Sequence, residues 1–267
     1  MATKLITIVG ITGTQGASVA DAYINEPGWK IRGISRDPSK ASSKAWTDQG
    51  VDMVFADLDD IGSLKTAFSG SNVICGVTDF WQQMQDKGNQ ERAKRTGKTI
   101  NVISFEAEIQ QGRNIVDAAQ STIVTLDMLV LSVLTDSRKW SGGKITWNYH
   151  FESKWRIVEY LQENYPGLHG KSSFFQAACY LSNLDTTLAP RMVSFKLFGV
   201  YMANAAEYGQ TPEGYIMSLP IDGNKPVPMI DARNDTGPLV KALVKAAPGK
   251  NLMGYTSEIS FNEIAQI

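Results

Sequence analysis

Short apolar runs alternate with longer amphipathic segments along most of the chain. The runs predict strands at residues 5–9, 29–34, 51–55, 72–77, 125–133 and 172–175, and the segments between them predict helices at 18–24, 61–68 and 106–120. Continuous β-branched runs are typical of strands buried on both faces. The alternation therefore predicts an α/β fold with a doubly wound parallel sheet and helices on both faces.

Glycines separate the first predicted strand from the first predicted helix. In such a turn one glycine allows a tight reversal, a second lets the backbone approach a pyrophosphate, and a third lets the helix pack closely on the strand. Free N–H groups at the helix start would face the phosphates. The pattern predicts a Rossmann-type dinucleotide site, and its expected contacts are Gly10, Thr12, Gly13, Thr14, Gln15 and Gly16.

The end of the second strand indicates which dinucleotide is bound. Sites for NAD carry Asp or Glu there, which accepts hydrogen bonds from the ribose hydroxyls and repels a 2′-phosphate. This chain has Ser35 and Arg36 instead, with Lys40 and Lys44 following. Because arginine makes forked, charge-assisted contacts to phosphate, we predict NADP(H) as the cofactor. The alternative is a solvated surface arginine.

Further cofactor contacts are predicted where the third and fourth strands end. Asp57 and Leu58 follow the third strand, and Thr78 and Phe80 follow the fourth. Since an aspartate before a helix often caps it, Asp57 has two interpretations. We favour Asp59 or Asp60 as the cap of the helix at 61–68.

Composition narrows the class of protein. A chain of 267 residues with 43% hydrophobic and 20% charged residues can bury one large core. With a net charge of −1 and no long basic block, no direct contact with nucleic acid is expected. The basic stretch at 87–98 reads as a solvated helix or loop. Cys75 and Cys179 lie far apart, so neither a metal site nor a disulfide is predicted.

The N-terminal residues enter a strand without a charged and then apolar leader, and no apolar stretch approaches the length of a membrane span. We therefore expect a soluble protein without a membrane segment. The expected location is cytoplasmic, with a nuclear location open to a regulator.

Several blocks together resemble the NmrA-like branch of the atypical short-chain dehydrogenases/reductases, over nearly the whole chain. The resemblance implies one NmrA-like unit over residues 1–267, in which a Rossmann core at about 1–180, with late strands, binds NADP(H). A smaller substrate lobe at about 181–235 would close over the nicotinamide. The blocks that carry the resemblance lie at 10–16, 35–39, 50–60, 76–81, 108–119, 141–143, 150–154 and 234–237.

The resemblance also implies where catalysis would occur. Short-chain dehydrogenases use Ser or Thr near the end of strand five, and Tyr and Lys four residues apart on one face of the next helix. Ser132 and Lys154 match this pattern, but His150 replaces the tyrosine. Histidine could act as the acid because it titrates near neutrality. Alternatively, catalysis rests on Lys154 alone, or there is no catalysis.

Each of these three residues also has a purely structural interpretation. His150 could be a helix-start residue, Lys154 a snorkelling lysine and Ser132 a small polar residue in a strand. Lys154 is in addition expected at the nicotinamide ribose. After the sixth strand, Ala177 and Tyr180 are expected against the nicotinamide, although residues 176–178 depart from the Arg-Pro-Gly-like turn of relatives.

Two functions follow from the resemblance, because the family is divided. The first is an NADP(H)-dependent reductase of a small aromatic or polyketide-like carbonyl or enone, a substrate class that suits the aromatic and Met-rich stretch 191–230. The second is a non-catalytic NADP(H)-binding redox sensor that acts through a protein partner. A serine-started helix signal at 260–267 ends after about two turns, where relatives usually continue. A short end would leave the substrate lobe more open, which slightly favours the binding role.

Overall fold

The computed structural model describes residues 3–185, 191–194, 213–216 and 222–266. Much of the predicted substrate lobe, including most of 191–230, lies outside these described residues. The chain divides into two compact units, which we call the first and the second unit. The first comprises Met1–Ala177 and Ala232–Gly254, and the second comprises Ala178–Asp231 and Tyr255–Ile267.

Strands and helices alternate through the first unit. The strands of the described chain are β1 Lys4–Ile8, β2 Trp29–Ser35, β3 Asp52–Phe55, β4 Val73–Gly76, β5 Met128–Val133, β6 Ser172–Ala177, β7 Cys179–Tyr180, β8 Arg191–Ser194, β9 Glu213–Ile216, β10 Pro226–Ile230, β11 Asn251–Gly254 and β12 Ser257–Ser260. The helices are α1 Thr14–Tyr23, α2 Ala41–Thr47, α3 Ile61–Phe68, α4 Phe80–Gln85, α5 Lys87–Thr96, α6 Ile100–Ser121, α7 Ser137–Trp140, α8 Tyr149–Asn164, α9 Pro166–His169, α10 Ala232–Lys245 and α11 Phe261–Ile264.

A seven-stranded parallel sheet organises the first unit, in the order β11-β6-β5-β4-β1-β2-β3. The strand order reverses between β1 and β4, which places a crevice outside the carboxyl ends of these strands. The predicted doubly wound α/β fold is therefore confirmed. Helices α3, α6 and α8 bury their apolar faces on one side of the sheet, in a core that includes Leu64, Ile115 and Ile157.

On the other side of the sheet, α1 and α10 pack against each other. The Gly237 N–H donates to Ser18 Oγ at 2.8 Å. A Cβ at Gly237 would lie 2.0 Å from the Ser18 carbonyl oxygen, so a larger residue would push the helices apart. The Lys241 ammonium reinforces the contact by donating to the Ala22 carbonyl oxygen and to Glu26.

Some element boundaries differ from the prediction. Helix α6 begins at Ile100, six residues before the predicted start, and Ile103 and Ser104 in the added part are buried. The basic stretch forms the largely exposed helix α5. Strand β6 continues through Ala177, two residues beyond the predicted end, because it pairs with β11.

The second unit contains two small sheets. Strand β10 pairs antiparallel with β12 and parallel with β7, and β8 pairs antiparallel with β9. The predicted serine start of the last helix is confirmed, because Ser260 and Glu263 form a capping box at α11.

Two findings concern membranes and metals. In the ranges given above, no helix has the length and apolarity needed to cross a membrane. The same residues contain no group of three or more His, Cys, Asp or Glu side chains that could hold a metal ion. Burial raises the pKa of the Cys75 thiol to about 12, so this cysteine stays protonated within β4.

Candidate dinucleotide and catalytic site

The turn between β1 and α1 has the geometry that its glycines predict. Gly10 has φ +67°, in the left-handed region that favours glycine. The Gly13 N–H donates to the Gly10 carbonyl oxygen at 2.9 Å, which closes the turn. A Cβ on Gly16 would lie 2.2 Å from that same oxygen, so only glycine lets α1 approach the turn this closely.

The start of α1 offers backbone donors to a ligand. Gly13 is the N-cap residue, and within the described chain no side chain caps the helix. Thr12, Gly13 and Thr14 are exposed, and the first turn carries no acidic residue. The N–H groups at a helix start and the positive end of the helix dipole both favour an anion. The residues present therefore fit the pyrophosphate of a dinucleotide.

The tip of β2 presents a cation without a competing acid. Arg36 is exposed, and none of the residues described in the structure bonds to its guanidinium. The neighbouring Asp37 carboxylate turns back into its own loop, where it accepts from the Ser39 N–H at 2.9 Å and the Ser39 hydroxyl at 2.5 Å. These bonds hold the pKa of Asp37 below its usual value. Arg36 is thus the free charge at this position.

Two aspartates after β3, Asp57 and Asp60, stabilise the turn before α3 by accepting hydrogen bonds from backbone N–H groups. Asp60 caps α3 by accepting from the Gly62 and Ser63 N–H groups, which confirms one of the two predicted caps. Asp57 accepts from the Asp59 N–H at 3.0 Å, and the Leu58 carbonyl oxygen accepts from Asn114 at 2.7 Å. The cofactor contacts expected of Asp57 and Leu58 stay predictions.

Lys154 lies in a buried polar cluster. We define the lysine cluster as Lys154, Glu108, Thr78 and Ser153, contributed by α8, α6 and the turn after β4. The Lys154 ammonium donates to Glu108 Oε1 at 2.7 Å, to the Thr78 carbonyl oxygen at 2.7 Å and to Thr78 Oγ1 at 3.1 Å. The Glu108 side chain is 0% exposed and that of Lys154 is 12% exposed. This is a desolvated ion pair.

His150 lies one helical turn before Lys154 and packs among aromatic rings. Its ring centroid is 5.2 Å from that of Trp81, 6.0 Å from that of Phe80 and 4.7 Å from that of Phe151. No residue in the described part of the chain bonds to the imidazole. Burial lowers the pKa of His150, the Glu108 carboxylate raises it, and Lys154 lowers it further. The net effect is a lowered pKa, which favours the neutral imidazole.

Exposed tryptophan side chains lie in the segments that follow β4 and β5. Trp81 is 55% exposed, Trp140 77% and Trp147 69%. We call these three residues the tryptophan group. The buried Glu152 carboxylate accepts from Arg156 at 2.7 Å and lies 3.8 Å from Arg138, which attaches the segment carrying Trp140 to α8. Trp81 belongs to α4, and Trp140 belongs to α7, which the Arg138–Glu152 pair holds to α8.

The structure does not bring Ser132 to the lysine cluster. Leu131 and Val133 face the core that contains α6 and α8. Since side chains alternate along a strand, Ser132 faces the opposite side, where it lines a small cavity with Gly16 and Thr236. Ser132 thus lies on the other face of the sheet from α8. Its catalytic role stays a prediction without a contact to support it.

The remaining predicted cofactor contacts lie in different parts of the structure, and they are Thr78, Phe80, Ala177 and Tyr180. The Thr78 hydroxyl already donates to Glu108 at 2.7 Å, and Phe80 is buried as the first residue of α4. Ala177 ends β6 in the first unit, whereas Tyr180 belongs to β7 in the second unit.

Sequence reasoning gave no role to Glu108 or Ser153. Glu108 lies within one of the blocks that resemble the family, and Ser153 stands next to Lys154. A signal was present for Glu108, because a lone carboxylate on the buried face of an amphipathic helix needs a cationic partner. The sequence does not say which cation provides it.

A glycine turn at the reversal point of a parallel sheet defines a Rossmann-type fold. Over residues 2–267 the sequence matches the NmrA-like family. The chain belongs to the NmrA-like family.

Curated relatives are fungal oxidoreductases of this family. An NmrA-like family domain-containing oxidoreductase of Aspergillus hancockii is 30% identical over 90% of this chain and 63% of its own length. One from a Cladobotryum species is 26% identical over 98% of this chain and 71% of its own length. The chain therefore spans about two thirds of the length of these relatives.

Solved structures share the fold at low sequence identity. NmrA, a negative transcriptional regulator, solved in complex with NADP, superposes with a TM-score of 0.69 at 18% identity, over 99% of this chain and 70% of that one. The triphenylmethane reductase of a Citrobacter species, complexed with NADP(H), gives 0.59 at 16% identity, over 98% of this chain and 74% of that one. At these identities the likeness shows the fold alone.

Proposed function

We propose that this protein is an NADP(H)-dependent reductase of a small planar carbonyl or enone, of aromatic or polyketide-like chemistry. One observation carries the proposal: an unbonded imidazole, His150, lies one helical turn from the buried Lys154–Glu108 ion pair and beside an exposed tryptophan. The naming of curated fungal relatives as oxidoreductases supports it.

The cofactor half of the proposal assigns roles to two exposed regions. The turn from Gly10 to Gly16 and the start of α1 would hold the pyrophosphate, and Arg36 would hold the 2′-phosphate. A bound NADPH would supply the hydride. Two structural neighbours were solved with NADP(H), and one of them was also solved with NAD, which supports a nicotinamide nucleotide. The preference for NADP(H) rests on Arg36. We retain Asp57, Leu58, Thr78, Phe80, Ala177 and Tyr180 as proposed contacts.

His150 would supply the proton. Reduction of a carbonyl adds a hydride to carbon and a proton to oxygen, and reduction of an enone adds the proton to the carbon next to the carbonyl. Only the protonated imidazole can donate, and burial holds the pKa of His150 below 6.5. The rate of reduction should therefore rise as the pH falls through that pKa.

The tryptophan group supports a planar substrate. Flat aromatic surfaces stack with conjugated ligands, and Trp81 is the member whose ring contacts His150. A planar substrate stacked on Trp81 would lie next to the imidazole, so that a carbonyl oxygen, or the carbon next to the carbonyl in an enone that takes the hydride at its β-carbon, could receive the proton.

Nucleotide preference tests the cofactor assignment. Calorimetric titration of the wild type should give tighter binding of NADP than of NAD, and Arg36→Glu should reverse the preference. Lys30→Glu is the matched control, because Lys30 is an exposed cation near the other end of β2. An unchanged ratio in Arg36→Glu would move the phosphate contact to another residue.

Turnover tests the chemistry. NADPH oxidation would be followed against a panel of quinones, aromatic ketones and conjugated enones. His150→Gln should reduce kcat roughly 100-fold or more while leaving nucleotide affinity within about twofold. Equal kcat values for the wild type and His150→Gln on an accepted substrate would exclude His150 as the proton donor.

A redox sensor is the second candidate, and the bonding of Lys154 favours it. All three N–H bonds of the ammonium point to Thr78 and Glu108, and the residue four positions earlier is not tyrosine. Such a protein would bind NADP and NADPH with different affinities and turn over no member of the panel. Its readout would be a nucleotide-dependent change in assembly with a protein partner.

A further inference from the structure

We infer that Glu108 is a positioning residue: it holds the Lys154 ammonium inside the protein and balances its charge beside His150. This inference rests on the proposed function for its meaning in catalysis. The contacts on which it depends are those of the lysine cluster.

The Glu108 carboxylate is the centre of that cluster. Its Oε1 accepts from the Lys154 ammonium and from the Thr78 hydroxyl, each at 2.7 Å. Its Oε2 accepts from the Ser153 hydroxyl. A fully buried carboxylate without such donors would be protonated or would destabilise the fold. These three donors satisfy the buried carboxylate, which lies directly against the Lys154 ammonium.

Glu108 and Thr78 together saturate Lys154. An ammonium has three N–H bonds, and here they are directed to Glu108 Oε1, Thr78 Oγ1 and the Thr78 carbonyl oxygen. To donate to a ligand, the ammonium would have to give up one of these partners. In this arrangement Lys154 acts through its position and its charge, which leaves His150 as the side chain able to transfer a proton.

The same bonds fix the surroundings of His150. Thr78 precedes α4, whose Phe80 and Trp81 rings pack on the imidazole. The α4 cap, Asp79, is held by the Trp81 and Gln82 N–H groups. Glu108 therefore positions, through Lys154 and Thr78, the turn that carries two of the rings around the imidazole.

Two helices place side chains of opposite charge near His150. Glu108 on α6 favours the protonated imidazole, and Lys154 on α8 favours the neutral one. The Phe80 and Trp81 rings on α4 add no charge. If Glu108 lost its charge, Lys154 would act unopposed, and protonation of His150 would become more difficult.

The test is an NMR titration of the imidazoles, because the chain has only two histidines. In Glu108→Gln the pKa of His150 should fall by about one pH unit, and in Lys154→Gln it should rise by a similar amount. His169 is an internal reference that should not move. Glu106→Gln is the matched control, since it removes a charge from the same helix where the carboxylate pairs with Arg92 and Lys98.

The double variant Glu108→Gln/Lys154→Gln provides the decisive comparison. It removes both charges, so the pKa of His150 should return close to the wild-type value. This variant avoids an unpaired buried charge and keeps the inference testable if Glu108→Gln does not fold. A His150 pKa that is the same in Lys154→Gln and in the double variant would overturn the inference.

Activity gives a separate readout. With an accepted substrate, the pH limb of kcat in Glu108→Gln should move to lower pH together with the His150 titration. A limb that stays in place while the titration moves would overturn the positioning role. The NMR titration needs neither cofactor nor substrate. If the pKa of His150 shifts as expected but no substrate is turned over, the charge balance beside His150 is supported and only the reductase function is rejected.

Discussion

Arg36 and Lys154 are both basic residues that sequence patterns assign to the cofactor site, but their environments are opposite. Arg36 is exposed at the tip of β2 and has no partner in the part of the chain that the structure describes. Lys154 is 12% exposed and has all three N–H bonds occupied. Arg36 is therefore available to bind a ligand, whereas Lys154 is engaged in hydrogen bonds within the protein.

The difference shows that position in a motif does not determine how a charge is used. An exposed guanidinium carries no desolvation penalty in the folded protein and can bind a phosphate. A desolvated ammonium is tolerated only with its carboxylate and hydroxyl partners, so removing them costs stability. The two regions should therefore respond differently to substitution.

The largest expected effect is on stability in the lysine cluster. Glu108→Gln should lower the free energy of unfolding by about 3 kcal/mol, because it leaves a buried ammonium without its counter-charge. Arg36→Ala should change it by less than about 0.5 kcal/mol. Urea denaturation without nucleotide measures both, and equal losses would erase the contrast between the two regions.

The next effect concerns the glycine turn between β1 and α1. Gly16→Ala places a Cβ 2.2 Å from the Gly10 carbonyl oxygen, so the turn must move. We expect a loss of roughly 1–3 kcal/mol in unfolding free energy and weaker NADP binding. Gly167→Ala is the control, because its Cβ would meet nothing closer than Ile123 Cδ1 at 4.0 Å. Unchanged NADP affinity in Gly16→Ala would indicate that the turn does not hold the nucleotide.

A smaller effect distinguishes charge from geometry at Arg36. Arg36→Lys keeps the charge but loses the planar fork, so NADP affinity should fall roughly three- to tenfold while NAD affinity stays constant. Calorimetry measures both constants. If Arg36→Lys binds NADP as the wild type does, the guanidinium acts as a point charge only.

The smallest effect is a pH dependence of stability from His150. Its pKa is lower in the folded protein than the ordinary value of 6.5, so the unfolded chain takes up the proton first. Stability from this group is present above pH 6.5 and is lost as the pH falls below it. Thermal unfolding at a series of pH values should show a shallower acid loss in His150→Gln, and identical profiles would contradict the burial of the imidazole.

The sequence predicted those features that depend on neighbours along the chain. The turn at Gly10–Gly16 and the cap at Asp60 were readable because their partners lie within a few residues. The lysine cluster was not, because Glu108 lies 30 residues from Thr78 and 46 from Lys154. The side of the sheet that Ser132 faces could not be predicted either. The alternation of side chains along a strand defines two faces of the sheet but does not say which helices cover each face.

The contact of Gly237 with Ser18 joins residues that are 219 positions apart. During synthesis, α1 leaves the ribosome long before α10, so the side of α1 that contacts α10 stays uncovered while most of the chain is made. The N-terminal helix therefore cannot reach its final packing until residues 232–245 have emerged. A nascent chain stopped before residue 232 would lack both α10 and β11, the edge strand that follows it, and would be open to aggregation along α1.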